Sequence, residues 1–443
     1  MELDTKQSYK ILTLNTITFT TCFGVWMMYG VLIKFLSMPV IIDGTITAII
    51  PGLKEYLYYI MVTPVLTGAV LRLPVGILTD KYGGKPVTIG VLIITAIGAA
   101  LVAFMKTHAG FMLAGLIFGL AGASFAVGIA YTSIWFSKGK QGIALGIFGA
   151  GNAGAALNGM LGPKFLSYVT GQSGKVSHMI DGKEVMVPVI NNPSNWIQLP
   201  LLYAVIIILM AVIFFFLAEN RKVESSAAKT FTQRLEPLKN IQVWRFGFYY
   251  FLVFGGFVAL SQTLNDYYVV VYAVPLATAG LLVSIFTIPS GVIRALGGWL
   301  SDKQGARNVM YWILGSCIIG CALLCFPVGI WTFTIVACIV GIAMGIGKAA
   351  VYKHIPVYFP KEVGVVGGMV GVLGGLGGFI CPIIFGQLLN FTKSPQNPNG
   401  LYTTCWMFLT AISLLCLIWM HFAVKKIESA KKANSLETCN SGA

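Results

Sequence analysis

The sequence predicts an all-α membrane protein with twelve transmembrane helices, arranged as two six-helix bundles related by pseudo-two-fold symmetry. Composition, the spacing of apolar runs and an internal repeat predict this class. Of the 443 residues, 57% are hydrophobic and 10% are charged, whereas a typical soluble protein has about 25% charged residues. Apolar runs of about 20 residues recur along the chain, and each can cross a hydrocarbon core of ~30 Å.

Each apolar run predicts one membrane span. The first run is too long for the apolar part of a signal peptide, so we interpret it as an uncleaved helix. The predicted spans are residues 11–33, 58–79, 86–105, 109–136, 142–163, 197–218, 246–265, 275–300, 308–327, 330–359, 363–390 and 401–424.

The formal net charge of +15 reflects membrane topology. Nineteen Lys and Arg residues fall in the termini and the even-numbered loops, whereas seven fall in the odd-numbered loops. Positive charge is enriched on the cytoplasmic side of membrane proteins, so both termini are expected in the cytoplasm. We therefore predict a lipid bilayer environment and no nucleic-acid partner.

A polar stretch divides the spans six and six. The predicted organisation is an N-terminal bundle (residues 1–218), a cytoplasmic linker (219–245) and a C-terminal bundle with a short tail (246–443). Arg245 and Lys353 are expected to extend their side chains from span ends to the membrane surface. The loop at 171–196 is expected to contain a small hairpin.

The two halves repeat at a constant offset of 222 residues. Gly68, Arg72 and Asp80 in span 2 correspond to Ser290, Arg294 and Asp302 in span 8. Parallel repeats of this kind are typical of transporters whose substrate site lies near the membrane midplane between two bundles.

Arg72 and Arg294 are the strongest candidates for a substrate site. Each lies eight residues before the aspartate of its span, which places it about 12 Å deep along a helix. A charge at the bilayer centre costs from ~2.5 to more than 10 kcal/mol, so it normally faces a partner or a cavity. Bonding to backbone carbonyls within each bundle is the alternative explanation. The repeat and the lack of acidic residues at this depth favour a site for a small anion.

A guanidinium group offers paired donors in a fixed plane, which suits a flat oxyanion. Two such groups ~7 Å apart repel each other by about 2 to 3 kcal/mol at an effective dielectric of ~20. Closure around them would then require a bound anion, and this favours exchange of one anion for another.

Four segments combine these arginines with loop charges and glycines. They are Gly68-Ala-Val-Leu-Arg72-Leu-Pro74, Asp80-Lys-Tyr-Gly-Gly-Lys85, Gly119-Leu-Ala-Gly-Ala-Ser-Phe125-Ala, and Phe136 through Gly149-Ala-Gly151-Asn152. These segments resemble the nitrate/nitrite porter family of the major facilitator superfamily, and the resemblance covers essentially all twelve spans.

The resemblance implies roles for individual residues. It implies that Arg72 and Arg294 bind nitrate or nitrite, with Asn152 and Tyr250 completing the hydrogen bonds. Phe23, Phe125 and Phe254 match aromatic residues that wall or gate the site. Asp80 and Asp302 match the loop motif that closes the cytoplasmic side, and Gly149 and Gly151 belong to the glycine-rich gating segment.

Lys348 in span 10 departs from this pattern. It lies eleven residues from the end of its span, about 16 Å deep. We expect it either to attract the anion or to exchange a proton during transport, which would convert exchange into proton-coupled import.

The predicted function is a nitrate/nitrite transporter of the bacterial inner membrane that works by alternating access. It is predicted to be a monomer, to use no cofactor or metal, and not to be an enzyme. A carrier of another small anion, such as formate or oxalate, is the nearest alternative. A non-transporting nitrate receptor is a further alternative.

Overall fold

The computed structural model describes residues 5–137, 139–180, 183–221, 233, 235–359, 362–395 and 397–440. Eighteen α-helices occupy most of this part of the chain. They are α1 (Thr5–Trp26), α2 (Met28–Ser37), α3 (Leu57–Val70), α4 (Arg72–Tyr82), α5 (Gly84–Val102), α6 (His108–Phe118), α7 (Ser124–Ser133), α8 (Gln141–Gly149), α9 (Gly154–Val169), α10 (Gln198–Leu217), α11 (Ile241–Tyr250), α12 (Phe257–Tyr272), α13 (Leu276–Val292), α14 (Arg294–Gln304), α15 (Ala306–Leu323), α16 (Ile330–Tyr358), α17 (Val363–Phe391) and α18 (Thr403–Asn440).

These helices form the predicted spans. Ten helical segments in the described part of the chain are long and apolar enough to cross a membrane. The pair Thr278–Val292 and Arg294–Gln304, bent by 40°, makes an eleventh if it counts as one span. Residues 141–169, built from α8, a short 3-10 turn and α9, occupy the position of the remaining span. The helical fold with twelve spans is consistent with the prediction.

A small sheet joins two loops at one end of the molecule. The predicted hairpin is present as β3 (Gln172–Ile180) and β4 (Lys183–Ile190), which pair antiparallel. A second hairpin, β1 (Pro39–Ile42) and β2 (Thr45–Ala48), was not predicted. Strand β1 also pairs with β4, giving the order β2-β1-β4-β3. We call this the sheet end. The opposite end, where Lys81, Lys140 and Lys303 lie, is the basic end.

The pseudo-two-fold symmetry extends to individual glycine contacts between the bundles. A side chain at Gly76 in α4 would come within 3.0 Å of the Gly364 carbonyl oxygen in α17. Its repeat equivalent Gly298 in α14 meets the carbonyl of Gly142 in α8. Because small residues allow helix backbones to approach closely in a membrane, these glycines bring the two bundles into contact.

Short non-α segments interrupt three spans near their middle. They are the 3-10 turns at Gly119–Ala123 and Ala150–Ala153 and the π-helical turn at Phe251–Gly256. Irregular turns inside long helices often mark functional positions, because they redirect side chains and free backbone groups. All three lie beside the predicted site residues Phe125, Asn152 and Tyr250.

Gly298→Ala is expected to lower the thermal stability of the purified protein. The added methyl group would collide with a backbone carbonyl of the opposite bundle, and overpacking of this kind costs ~1–3 kcal/mol. Thermal unfolding in detergent measures the effect. Gly315→Ala in α15 is the matched control, since its side chain would meet nothing within 4 Å. Equal melting temperatures for the two variants would contradict this view of the interface.

Candidate functional site

Arg72 and Arg294 occupy equivalent positions in the two halves. Each is the first residue of a helix, α4 or α14, immediately after the break in its span. Each is buried, with 1% of its surface exposed. Both side chains therefore point into the protein and away from lipid.

Phe125 brings the two arginines into one site. The Cζ atom of Arg72 lies 5.5 Å from the Phe125 ring centroid, and the Cζ atom of Arg294 lies 5.3 Å from it. The two guanidinium carbons are thus at most about 11 Å apart, and both are within cation–π range of the same ring.

Other predicted aromatic residues line the same site. Tyr250 stacks nearly parallel on Phe254, with ring centroids 5.1 Å apart, and also lies parallel to Phe125 at 6.3 Å. The Phe254 ring centroid is 5.1 Å from the Arg72 Cζ atom. These rings form a stacked wall that holds the arginines in place and keeps lipid and water out.

The two arginines differ in their hydrogen bonds. Arg72 donates from Nε to the Gly122 carbonyl at 3.2 Å and from Nη1 to the Gly371 carbonyl at 2.7 Å. Gly122 belongs to the same bundle and Gly371 to the other, so Arg72 links the two. By contrast, Nε and Nη1 of Arg294 are buried without a hydrogen-bond partner among the described residues. The guanidinium of Arg294 instead packs on Gly149.

Two neighbouring polar groups also have unused hydrogen-bonding capacity. Both amide atoms of Asn152 are buried without a partner in the described part of the chain, and the Tyr250 hydroxyl makes no hydrogen bond of regular geometry there. The described residues show no ion pair between either arginine and a carboxylate. Buried polar groups are normally hydrogen-bonded, so this concentration of unpaired donors requires an explanation.

The remaining predicted residues lie one layer further out. Phe23 packs on Trp26. The centroid of the Trp26 ring in turn lies 5.7 Å from the Arg72 Cζ atom. Gly151 packs against Phe19. The sequence reasoning did not single out Trp26, although it lies one helical turn after Phe23.

Tyr352 is the other residue that sequence reasoning missed. Its ring meets Phe125 and Tyr250 edge-on, at 5.1 Å and 4.9 Å, and its hydroxyl donates to the Gly367 carbonyl at 3.2 Å. It lies one turn after Lys348 on α16, so both residues share one helix face. This spacing is the sequence feature that could have indicated Tyr352.

Asp80 and Asp302 lie at the basic end, where each meets the start of a helix in the opposite bundle. The Asp302 carboxylate accepts a hydrogen bond from the Ile143 amide at 3.1 Å, in the first turn of α8. Asp80 lies against Gly364 in the equivalent turn of α17. A carboxylate at a helix N-terminus is stabilised by the helix dipole, so both residues form favourable contacts between the bundles at this end.

Lys353 has a different environment from the one predicted. It was expected to reach the membrane surface, but it forms an ion pair with Asp302. The carboxylate at the end of α14 is close enough to pair with it, so this pair links two helices of the C-terminal bundle.

Lys348 lies beside the arginine site and is fully buried. Its Nζ atom donates to the Ser290 hydroxyl at 3.3 Å and lies 3.1 Å from the centroid of the Phe257 ring. Ser290 is one turn before Arg294. The residue equivalent to Lys348 in the N-terminal half is Ala126, so this third cation breaks the symmetry.

Comparison with known proteins agrees with this architecture. The family model described as Major Facilitator Superfamily matches residues 14–382 and 248–438. A relative from Thermus thermophilus, named probable nitrate/nitrite antiporter NarK1, is 37% identical over 447 residues, covering 96% of this chain and 94% of its own. The chain belongs to the nitrate/nitrite porter family of the major facilitator superfamily. The predicted family is therefore confirmed.

Other relatives of this porter extend the comparison. A protein of Mycobacterium tuberculosis named probable nitrate/nitrite transporter NarK2 is 30% identical, over 80% of this chain and 84% of its own. The solved structure of the human organic anion transporter MFSD10 has a TM-score of 0.69 at 16% identity, covering 93% of this chain and 99% of its own. That similarity shows the fold. This porter is a multi-pass membrane transport protein and not an enzyme.

The difference between the two arginines predicts different effects on stability. In nitrate-free buffer, Arg72→Met is expected to destabilise the porter, because it removes two charge-assisted hydrogen bonds to buried carbonyls, at about 1.5–3 kcal/mol each. Arg294→Met is expected to be neutral or stabilising, because it removes a buried, incompletely paired charge. Thermal unfolding of the two variants side by side measures this. A greater loss of stability in Arg294→Met than in Arg72→Met would refute the assignment.

Proposed function

We propose that this porter carries nitrate and nitrite across the bacterial inner membrane by alternating access, and that Arg72 and Arg294 bind the anion between the bundles. The central observation is a pair of buried arginines with no carboxylate paired to either among the described residues. The Nε and Nη1 donors of Arg294 and the amide of Asn152 are also unpaired there.

The chemistry of these groups suits a small, flat oxyanion. A guanidinium edge donates two parallel hydrogen bonds, which match two oxygens of a trigonal anion. An amide nitrogen and a tyrosine hydroxyl can donate to a further oxygen. The aromatic wall of Phe125, Tyr250 and Phe254 favours a planar ion and limits the space for larger ones.

The interface between the bundles supports alternating access. The glycine contacts at the basic end, with Asp80 and Asp302 across them, form one closed gate that separation of the bundles would open. Each arginine directly follows the break in its span. This position supports coupling between anion binding and movement of the bundles. Two arginines within about 11 Å repel each other by at least ~1.5 kcal/mol at an effective dielectric of ~20. A bound anion removes this penalty, which favours exchange.

The basic end is proposed to face the cytoplasm, because it carries most of the loop lysines and arginines. The names of the relatives support the choice of substrate. The Thermus relative is named a nitrate/nitrite antiporter, and a Bacillus subtilis relative, 25% identical over 93% of this chain, is named a nitrite extrusion protein. A monomer is proposed, since the site lies within one chain.

Lys348 supports a second mode of coupling in the same carrier. A cation buried beside Arg294 would add to the repulsion in the empty site. If Lys348 takes up a proton together with the anion, the carrier becomes a nitrate/proton symporter.

Nitrate uptake into proteoliposomes loaded with nitrite tests the main proposal. Arg294→Gln is expected to reduce the initial rate by at least ~10-fold, because a charge-assisted hydrogen bond contributes about 1.5–3 kcal/mol. Arg221→Gln, a change of the same type outside the site, should leave the rate unchanged. Uptake that is equal in both variants would contradict the role of Arg294.

Competition in the same assay separates the alternatives. Nitrite should inhibit nitrate uptake, whereas formate, oxalate and chloride should inhibit it weakly at equal concentration. Stronger inhibition by formate or oxalate would identify a different anion as the substrate. Saturable nitrate binding without flux would favour a receptor.

Lys348→Met is expected to separate the two modes of transport. Exchange of nitrate for internal nitrite should persist, because both arginines remain. Accumulation of nitrate driven by an inward proton gradient should be lost, because the titratable amine is absent. Exchange in the variant also shows that it is folded. Gradient-driven uptake with an unchanged dependence on external pH would show that Lys348 does not couple protons.

A further inference from the structure

A second group of basic residues lies at the basic end of the C-terminal bundle, away from the transport site. Helices α11, α15, α16 and α18 enclose a cleft there, which we call the terminal cleft. Its polar lining residues are Arg245, Tyr249, Arg307, His354 and Tyr358. The cleft lies within one bundle, so it is separate from the path between the bundles.

Arg245 is the deepest charge in this cleft. It was expected to extend to the membrane surface, but α11 begins at Ile241, so Arg245 lies in the second turn of a helix. Only 8% of its surface is exposed, and its Nε atom is buried without a hydrogen-bond partner in the described part of the chain. Its guanidinium lies 5.5 Å from the Phe246 ring centroid.

Tyr249 presents a second unpaired donor one turn further along α11. It is 1% exposed, and its hydroxyl has no hydrogen-bond partner among the described residues. Among the residues that the structure describes, none of those that line the cleft is acidic. A buried guanidinium Nε–H group and a buried hydroxyl that share a cleft are both expensive to leave unpaired.

His354 and Tyr358 complete the wall on α16. The His354 Nδ1 atom bonds the Ala350 carbonyl at 2.8 Å, and the His354 ring lies nearly parallel to Tyr358. The other ring nitrogen, Nε2, takes no part in that backbone hydrogen bond. Arg307 and Tyr358 are partly exposed, and they form the mouth through which a ligand can enter.

We propose that the terminal cleft binds an oxyanion of the phosphate class, with Arg245 and Tyr249 as the inner donors. Guanidinium groups bind phosphate oxygens through paired, charge-assisted hydrogen bonds. The phosphate comes either from solution or from a phospholipid headgroup, whose chains would contact the apolar lining residues Met420 and Val424 on α18. This site does not depend on the proposed transport function.

Binding of inorganic phosphate to the delipidated carrier in detergent tests the first source. Titration in nitrate-free buffer, followed by calorimetry, should show saturable binding at constant ionic strength. Arg245→Gln is expected to raise the dissociation constant at least ~10-fold and Tyr249→Phe about 3- to 10-fold. Arg221→Gln is the matched control, since Arg221 also lies over an aromatic ring, 5.2 Å from the Trp135 centroid.

Native mass spectrometry with phosphatidylglycerol tests the second source. If the headgroup is the ligand, wild type and Arg221→Gln retain the lipid, and Arg245→Gln and Tyr249→Phe retain less. Both assays are repeated in Arg294→Gln, which disables the transport site and should leave cleft binding unchanged. The proposal is overturned if neither ligand distinguishes the cleft variants from wild type, or if binding disappears in Arg294→Gln. Tyr249→Phe keeps the ring, so it decides the result if Arg245→Gln does not fold.

Discussion

The organisation of this porter depends on two permanent positive charges held in an apolar interior, with no carboxylate paired to either among the described residues. Such charges are stable there only if backbone carbonyls, aromatic faces or a bound anion replace the lost water. Arg72 uses carbonyls from both bundles, and both arginines use the Phe125 ring. The close helix contacts through Gly149 and Gly371 follow from the same requirement, because a side chain at either position would displace a guanidinium.

Within a symmetric frame, the chemistry is asymmetric. Arg72 is anchored by two hydrogen bonds, whereas two donors of Arg294 are unpaired among the described residues. Lys348 adds a further cation on the side of Arg294, where the repeat has Ala126. The N-terminal arginine is thus fixed by hydrogen bonds to the protein, whereas the C-terminal arginine keeps the donors that we propose for the anion.

The sequence predicted the spans, the repeat and the arginine pair because these depend on patterns along the chain. The length of the apolar runs, the positive charge of the loops and the constant offset of the repeat can be recognised without knowing how the helices pack. Trp26 and Tyr352 were missed because many aromatic residues occur in the spans, and sequence does not show which ones face the site. The burial of Arg245 and the partner of Lys353 were also missed, since both depend on where neighbouring helices begin and end. The β1–β2 hairpin has only four residues per strand, too few for a periodic signal.

The number of cations beside the site bears on how transport is coupled. In the proposed mechanism, one monovalent anion between the two arginines offsets part of their repulsion, so closure does not require a third cation. A protonated Lys348 raises the repulsion in the empty carrier more than in the loaded one, because the anion attracts all three groups. In the proposed mechanism, the proton is therefore held more tightly when the anion is present, and by linkage the anion is held more tightly when the proton is present. The proposed coupling thus requires only one buried amine beside the two arginines to link the movement of the two ions.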